Sequence, residues 1–498
     1  MVTSHLLTLL FALCIVAVYY LLPGRFRWFV LLTASIIFYL SAEPLLLLLA
    51  VGTACWTWWI GKKITNEHAK RWLVLGIVPC ILSLFIFKYF NFFYTSITDF
   101  LALIGLPVHA DVIKLALPLG ISYYTFKLIG YLVDIYRNKY KPEAHLGYFL
   151  TYTLYFPQIV CGPIQRADDF LTQINQSPRF DASLFNIGIR RIILGLFKIL
   201  VIANPILPYL DRVSTRLDTL SGMTLLSGSI LYSILIYADF SGCSDIAIGT
   251  GNLFGLKCPD NFKAPYFSKN IVEFWKRWHI SLTSWLKDYI YISLGGNRVG
   301  TVRTKLNILI TFLVSGLWHG ANWTFIFWGL IHGIWNVLTP RHKKKTSNTP
   351  VILQESSPNQ SNAQSASLPK AGNHLFKKLK SALAILATFM GVTIGWQFFR
   401  SDNISSAFHY LYRTVTEFHI SSAHITEALI QFTGDSSSLP IFLTFAVCIC
   451  IYGIFEKSII CNSKYDDFPI PLGWTITFFV IMILFGQFGK SAFLYANF

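Results

Sequence analysis

Charge is what this sequence has least of: 13% of its 498 residues are Asp, Glu, Lys or Arg, against about a quarter in ordinary soluble domains. That excludes a chain wrapped in a solvated, charged surface. The nine cysteines are scattered, mostly inside apolar segments, in no spacing that suits a zinc site or a secreted disulfide framework. They are read as unpaired and structural, and no metal is expected. No internal repeat is visible, unlike the two similar halves of many secondary transporters. The first apolar segment lacks a basic n-region and a small-residue cleavage site, so it reads as a retained helix and not a signal peptide.

What is present is apolar: 54% of the residues are hydrophobic and the mean hydropathy is +0.52, in long blocks with short polar punctuation. This is the composition of an all-α polytopic membrane protein. Crossing about 30 Å of hydrocarbon takes roughly 20 helical residues at about 1.5 Å each. Apolar segments of that kind fall near 4–22, 26–40, 45–60, 72–95, 113–133, 146–163, 184–203, 223–238, 306–319, 322–339, 381–399, 438–456 and 470–489. About 11–13 of them are expected to be membrane segments.

The net charge of +17 reports topology rather than nucleic-acid binding, because basic residues between spans collect on the inner side. Lys62, Lys63, Lys70 and Arg71 mark one inner loop, Arg137, Lys139 and Lys141 another, and Arg341, Lys343, Lys344 and Lys345 a third. The N-terminus then faces outward, as do SAEP (41–44) and the stretch 95–112. Residues 346–373 are rich in Ser, Asn, Gln and Pro with no apolar period, the mark of a disordered linker. With its basic flanks the linker is expected to be cytoplasmic over 341–380. It divides a catalytic body, 1–340, from a three-span part, 381–498.

Residues 256–305 interleave basic residues with aromatics. In EFWKRWHISLTSWLKDYIYISL the spacing of Phe274, Trp278, Trp285 and Tyr289 predicts one amphipathic helix along the inner membrane surface. ADFSGCSD is expected to interrupt its helix, with Asp239, Ser241, Ser244 and Asp245 in structural, capping roles around Gly242. Asp134 and Arg137 are expected to end a helix at the inner surface.

Two histidines stand in the apolar run LVSGLWHGANWTFIFWGLIHG (313–333). His319 lies 14 residues beyond Lys305, about 21 Å of helix from the basic inner level and short of the full crossing. An ionisable group at such depth is a functional hypothesis by default. Ser315, Gly316, Gly320 and Ala321 around it permit close approach of a backbone or ligand. On a continuous helix His332 would lie about 20 Å away, and it reads as a packing hydrogen bond. An imidazole suits general acid–base work near neutral pH without extreme tuning.

That run, together with PLGISYYTFKLIGYLVDIYR (118–137), YFPQIVCGPIQR (155–166), YADFSGCSDIAIG (237–249), NFKAPYFSKNIVEFWKRWHISLTSWLKDYIYISLGGNR (261–298) and, more weakly, GWQFFRSDNISSAFHYL (395–411), resembles the membrane-bound O-acyltransferase (MBOAT) family, in its bacterial alginate O-acetylation branch. The resemblance runs in order along essentially the whole chain. It implies a ring of tilted transmembrane helices with re-entrant or interfacial helices and a thin centre. It also implies catalysis by His319, with His279 of RWHISL as the second signature position. Substrate contacts are expected from Trp318, Asn322, Tyr123, Tyr124, Lys276, Arg277, Gln165 and Arg166.

The implied activity is transfer of an acetyl group from a cytosolic thioester, such as acetyl-CoA, for O-acetylation of an exported or cell-envelope polysaccharide (alginate-like, cellulose or peptidoglycan). No permanently bound cofactor is implied. Expected partners are membrane lipids, a periplasmic acyl-transferring protein and the polysaccharide acceptor, in a bacterial inner membrane. D-alanyl transfer to teichoic acid is the alternative within the family. A transporter or flippase is the alternative outside it, drawing on intramembrane Lys88, Asp239 and Asp245.

Overall fold

The computed structural model describes residues 5–42, 44–64, 67–106, 113, 115–340, 371–434, 439–461 and 470–488. Among them the chain forms twenty α-helices with short 3-10 and π-helical turns and no strand. Helices are the expected answer in hydrocarbon, where every backbone N–H and C=O must be bonded within its own segment. Six are long and apolar enough to cross a membrane: Pro44–Lys63, Ala69–Leu103, Ala182–Thr215, Gly222–Leu253, Phe376–Arg400 and Leu439–Ile459. Leu7–Leu21, Trp323–Leu338 and Leu472–Phe485 are shorter apolar helices.

Among the described residues each of the thirteen expected segments contains a helix, usually with shifted bounds, and three differ most. The helix placed at 113–133 begins only at Ile121, behind Pro118 and a left-handed Gly120. The segment at 146–163 is helical for nine residues, Leu146–Leu154, after which the chain runs irregularly to Arg166. Apolar content marked it as membrane-embedded, but Pro157 and the Gly162-Pro163 pair remove the helical bonds. The opposite error occurs at ADFSGCSD, where Gly222–Leu253 runs unbroken for 32 residues. The small residues there permit packing and cap nothing.

Against that long helix lies Ala182–Phe197, and the two backbones meet at glycines. A Cβ on Gly195 would stand 2.6 Å from the Gly242 carbonyl oxygen, and one on Gly188 2.7 Å from that of Gly249. In a membrane, where no hydrophobic effect draws helices together, such close van der Waals contact drives association.

The sequence outside 1–340 is not a detached part. Helix Ala371–Arg400 packs on Trp323–Leu338, with Trp335 and His332 seated over Gly391 and Gly395. Residues 371–380, placed in the linker, belong to this helix. Residues 341–370 of the expected linker lie outside the described residues. Three apolar helices do follow, Ala371–Arg400, Leu439–Phe455 and Leu472–Phe485, but two more intervene, Ile404–Thr416 and Ser422–Thr433.

Gly195→Ala should lower the thermal midpoint in detergent although alanine is the better helix former, because overpacking costs about 1–3 kcal/mol. Gly52→Ala, where no atom lies within 4 Å, should hold or raise it. Equal midpoints for the two variants would refute close helix approach.

Candidate active site

His319 is the last residue of helix Thr301–His319 and is 4% exposed. Gly320 breaks the helix in extended conformation, and Asn322 starts the next one by accepting from Thr324 N at 3.0 Å. The two helices form a hairpin with the imidazole at its tip. Three aromatic rings wall it in, with centroid distances of 5.0 Å to Trp318, 5.1 Å to Trp328 and 5.2 Å to Phe399. On the remaining side is a cavity of about 160 Å³, lined by Lys88, Pro118, Ser122, Tyr123, Trp318 and His319 among others.

His279 reaches the same cluster from another direction. The single amphipathic helix expected over 273–294 is instead two short helices, Ile271–Arg277 and Ile280–Leu286, broken at His279 with φ of 42°. Its aromatics Phe274, Trp278, Trp285 and Tyr289 are buried in protein. The kink turns the His279 ring inward, fully buried, to lie 5.8 Å from the Trp318 ring. One indole thus contacts both histidines.

Asn261 fixes the imidazole's orientation. Its Oδ1 lies 3.0 Å from His279 Nδ1 and accepts from Ser281 Oγ at 2.8 Å, while its Nδ2 donates to Ser244 Oγ at 3.0 Å. An acceptor at that place makes Nδ1 the protonated nitrogen and Nε2 the basic one.

A larger cavity, about 630 Å³, lies between the kinked segment and the hairpin, lined by Trp275, Lys276, Leu282, Phe312, Ser315 and Asn336 among others. Ser315 stands one turn before His319 on the same helix face. Trp275, in this cavity's wall, contacts Trp328 at 5.6 Å, and Trp328 contacts His319.

Of the expected site residues, Trp318 and Tyr123 are brought to His319, their rings 5.7 Å apart, and Lys276 lines the larger cavity. The others serve elsewhere. Tyr124, next to Tyr123 on a helix, points away into the core and is 1% exposed. Asn322 caps its helix and donates to Asp402 O at 2.8 Å. Arg277 is held by Glu273 at 2.5 Å. Gln165 bonds Gln158, Asp169 and Lys257 O, and Arg166 pairs with Asp288 at 2.9 Å across the Tyr289 face.

Asp239 and Ser241 are buried within the unbroken helix. Asp245 is bonded by Arg191 Nε and Lys198 Nζ, each at 2.7 Å. The capping roles expected of these residues do not occur, because the helix does not end there.

His332 corrects two expectations. The turn at 320–322 folds it back, so a single indole, Trp328, touches both it and His319, at 5.0 and 5.1 Å. Neither ring nitrogen has a hydrogen-bond partner among the described residues. Its ring packs against the indoles of Trp275 and Trp328, with its Nε2 edge toward Gly395.

Sequence reasoning missed Phe399, Trp328 and Asn261 as neighbours of the histidines, and weighed Lys88 only as support for the alternative transporter reading. A buried lysine in an otherwise apolar span was the one available signal.

A multi-pass helical membrane protein that buries a histidine in the wall of a cavity is the class defined so far. Comparison with known proteins supplies the family. Residues 143–335 match the sequence profile of MBOAT, the membrane-bound O-acyltransferase family. The chain is 34% identical over 463 residues to the “Probable alginate O-acetylase” of Azotobacter vinelandii, covering 91% of this chain and 84% of that protein. It is 31% identical to the peptidoglycan O-acetyltransferase of Helicobacter pylori, covering 95% and 91%. It is 34% identical to the teichoic acid D-alanyltransferase of Streptococcus thermophilus, covering 46% and 59%. The chain belongs to the membrane-bound O-acyltransferase family and is an acyltransferase.

Asp245→Ala should leave Arg191 and Lys198 as buried charges short of their shared carboxylate and cost about 3–5 kcal/mol. Arg277→Ala, at a partly exposed pair, should cost under about 1 kcal/mol. Thermal unfolding of the two purified variants measures the difference, and an Asp245→Ala protein as stable as wild type would remove the network from the fold's supports.

Proposed function

We propose that the protein catalyses O-acetyl transfer onto a cell-envelope or exported polysaccharide, with His319 as general base. The observation that carries this reading is the place of His319: at a hairpin tip, in the wall of one cavity, and one indole from a second and larger cavity. A thioester reaching the site from the larger cavity and a hydroxyl entering the smaller one would meet at this imidazole. His319 takes the hydroxyl proton as the oxygen attacks the thioester carbon. The C–O bond forms, the C–S bond breaks, and the proton leaves with the thiol. The acetyl thioester, of the acetyl-CoA type, is consumed as a substrate and is not a resident cofactor.

The oxyanion needs a donor. His279 directs Nδ1–H to Asn261 Oδ1, which leaves Nε2 as an acceptor nitrogen, suited to accept from the hydroxyl and not to donate. Trp318 Nε1–H is the better candidate, being buried with no hydrogen-bond partner among the described residues and carried by the ring between the two histidines.

Acetyl is favoured over D-alanyl by coverage. The relatives named for O-acetylation align over 84% and 91% of their lengths, and the D-alanyl relative over 59%. The bacterial inner membrane, with the basic loops inward, is the location this chemistry requires for a cytosolic donor. A periplasmic acyl-accepting protein would complete the relay to the glycan.

His319→Ala should reduce acetyl transfer by about 10²- to 10⁴-fold without affecting membrane insertion. O-acetyl content of the envelope glycans measures it, and wild-type acetylation in a well-expressed variant strain would refute the base assignment. Lys276→Ala should raise the apparent KM for acetyl-coenzyme A more than it lowers kcat, since a headgroup contact is shared by ground and transition states. Arg277→Ala, already paired with Glu273, should change KM less. An unchanged KM in stable Lys276→Ala protein would exclude the larger cavity as the donor's entrance.

A further inference from the structure

The last three carbonyls of the Thr301–His319 helix are closed from outside it. The first of two sources is Lys88, in the π-helical segment Phe85–Tyr89 between helices Ala69–Leu84 and Phe90–Leu103. Its Nζ donates to Trp318 O at 2.7 Å, to His319 O at 3.2 Å and to Ser122 Oγ at 3.2 Å. Each of these oxygens is an acceptor that an ammonium can serve. The second is its neighbour Tyr89, whose hydroxyl donates to Leu317 O at 2.7 Å. One turn of a different helix thus holds residues 317, 318 and 319 by their backbones.

These carbonyls need such partners. The final turn of a helix has no intrahelical donors for its C=O groups and carries its negative dipole end. At the surface water would bond them and the turn would fray. Here Trp318 and His319 are buried and Leu317 is half-buried, and Gly320 immediately departs from helical geometry. The direction of the His319 ring is set by a backbone that Lys88 and Tyr89 tether on this side. Lys88 also lines the same 160 Å³ cavity as His319 and Ser122.

We infer that Lys88, assisted by Tyr89, is a positioning residue that locks the last turn of this helix and holds the His319 imidazole in line with the cavity. The inference rests on His319 being the base. The transporter interpretation of Lys88 is thereby replaced: its ammonium is engaged by fixed carbonyls and is not placed to carry cargo.

The test uses the full-length protein in membrane vesicles of the producing strain, supplied with acetyl-coenzyme A, with kcat, donor KM and thermal midpoint measured for Lys88→Met, Lys88→Arg, Tyr89→Phe and His319→Ala. Misplacing a reacting group by about 1 Å costs on the order of 100-fold, so Lys88→Met should lose about 10- to 100-fold in kcat with donor KM within about twofold of wild type. Lys88→Arg, which can still donate to carbonyls, should recover part of the loss. Tyr89→Phe should lose severalfold in kcat, again at constant KM. Wild-type kcat in Lys88→Met overturns the inference, as does a loss that tracks the thermal midpoint in every variant. Should Lys88→Met fail to insert, Tyr89→Phe decides, and wild-type kcat there overturns it. Activity surviving in His319→Ala would instead defeat the base assignment, whereas an inactive His319→Ala beside a fully active Lys88→Met defeats positioning alone.

Discussion

The site depends on how closely the two arms of the 301–338 hairpin approach. A Cβ on Gly316 would fall 2.3 Å from Phe325 O, and one on Gly329 2.4 Å from Phe312 O. No side chain fits at either place, so backbone lies on backbone. This contact lets Phe325 fold over Gly320 and brings Trp328 against His319. Larger residues would separate the arms and carry Trp328 off the imidazole. Phe399 closes the third wall from a helix that itself docks through Gly391 and Gly395. The histidine's surroundings are therefore set by small residues several ångströms from it.

The charged groups buried inside this protein follow a second constraint: their burial is costly unless a partner is found in the chain. Asp245 meets Arg191 and Lys198, and Arg191 also meets Asp260 at 2.6 Å. Glu456 is bonded by the hydroxyls of Tyr237 and Tyr452. Lys127 donates to Tyr152 O and Gln158 Oε1, both at 3.1 Å. The bonds of Asp245 and the Tyr237–Glu456 bond join helical segments far apart in the chain and Lys127 joins two consecutive ones, so the networks specify which helices pair as well as supporting them. The same economy explains why Asn261 is devoted to His279: a buried imidazole with an arbitrary tautomer would be of no use to acyl transfer.

Much of this was legible in the sequence. Long apolar blocks announced the helices, and the distance from Lys305 to His319 announced a histidine at depth, because both follow from helical rise alone. The tip of the hairpin was visible in Gly320 and Asn322. What escaped was whatever depends on tertiary partners. A left-handed backbone at His279 has no local signature, since histidine enters that region only when its surroundings compel it. The unbroken helix through ADFSGCSD looked like a break because Asp, Ser and Gly favour caps and turns in isolation. Packing against the glycines of a neighbouring helix overrode that preference. Tyr124 was placed at the site with Tyr123 by motif membership, although adjacent helical residues face about 100° apart.

The dryness of the site also bears on what can enter it. Around His319 the walls are indole and phenyl rings, and the adjoining cavity of about 160 Å³ has room for about five waters at roughly 30 Å³ each. A nucleotide headgroup cannot be accommodated there, and its phosphates would lose their hydration without compensation. An acetyl thioester meets neither objection, being small and uncharged at its reacting end. On the proposed thioester reading, the charged remainder would stay in the larger cavity, whose lining includes Lys276 and Lys287. Trp275 and Trp328, which stand between that cavity and His319, would then separate the charged handle from the reacting carbon.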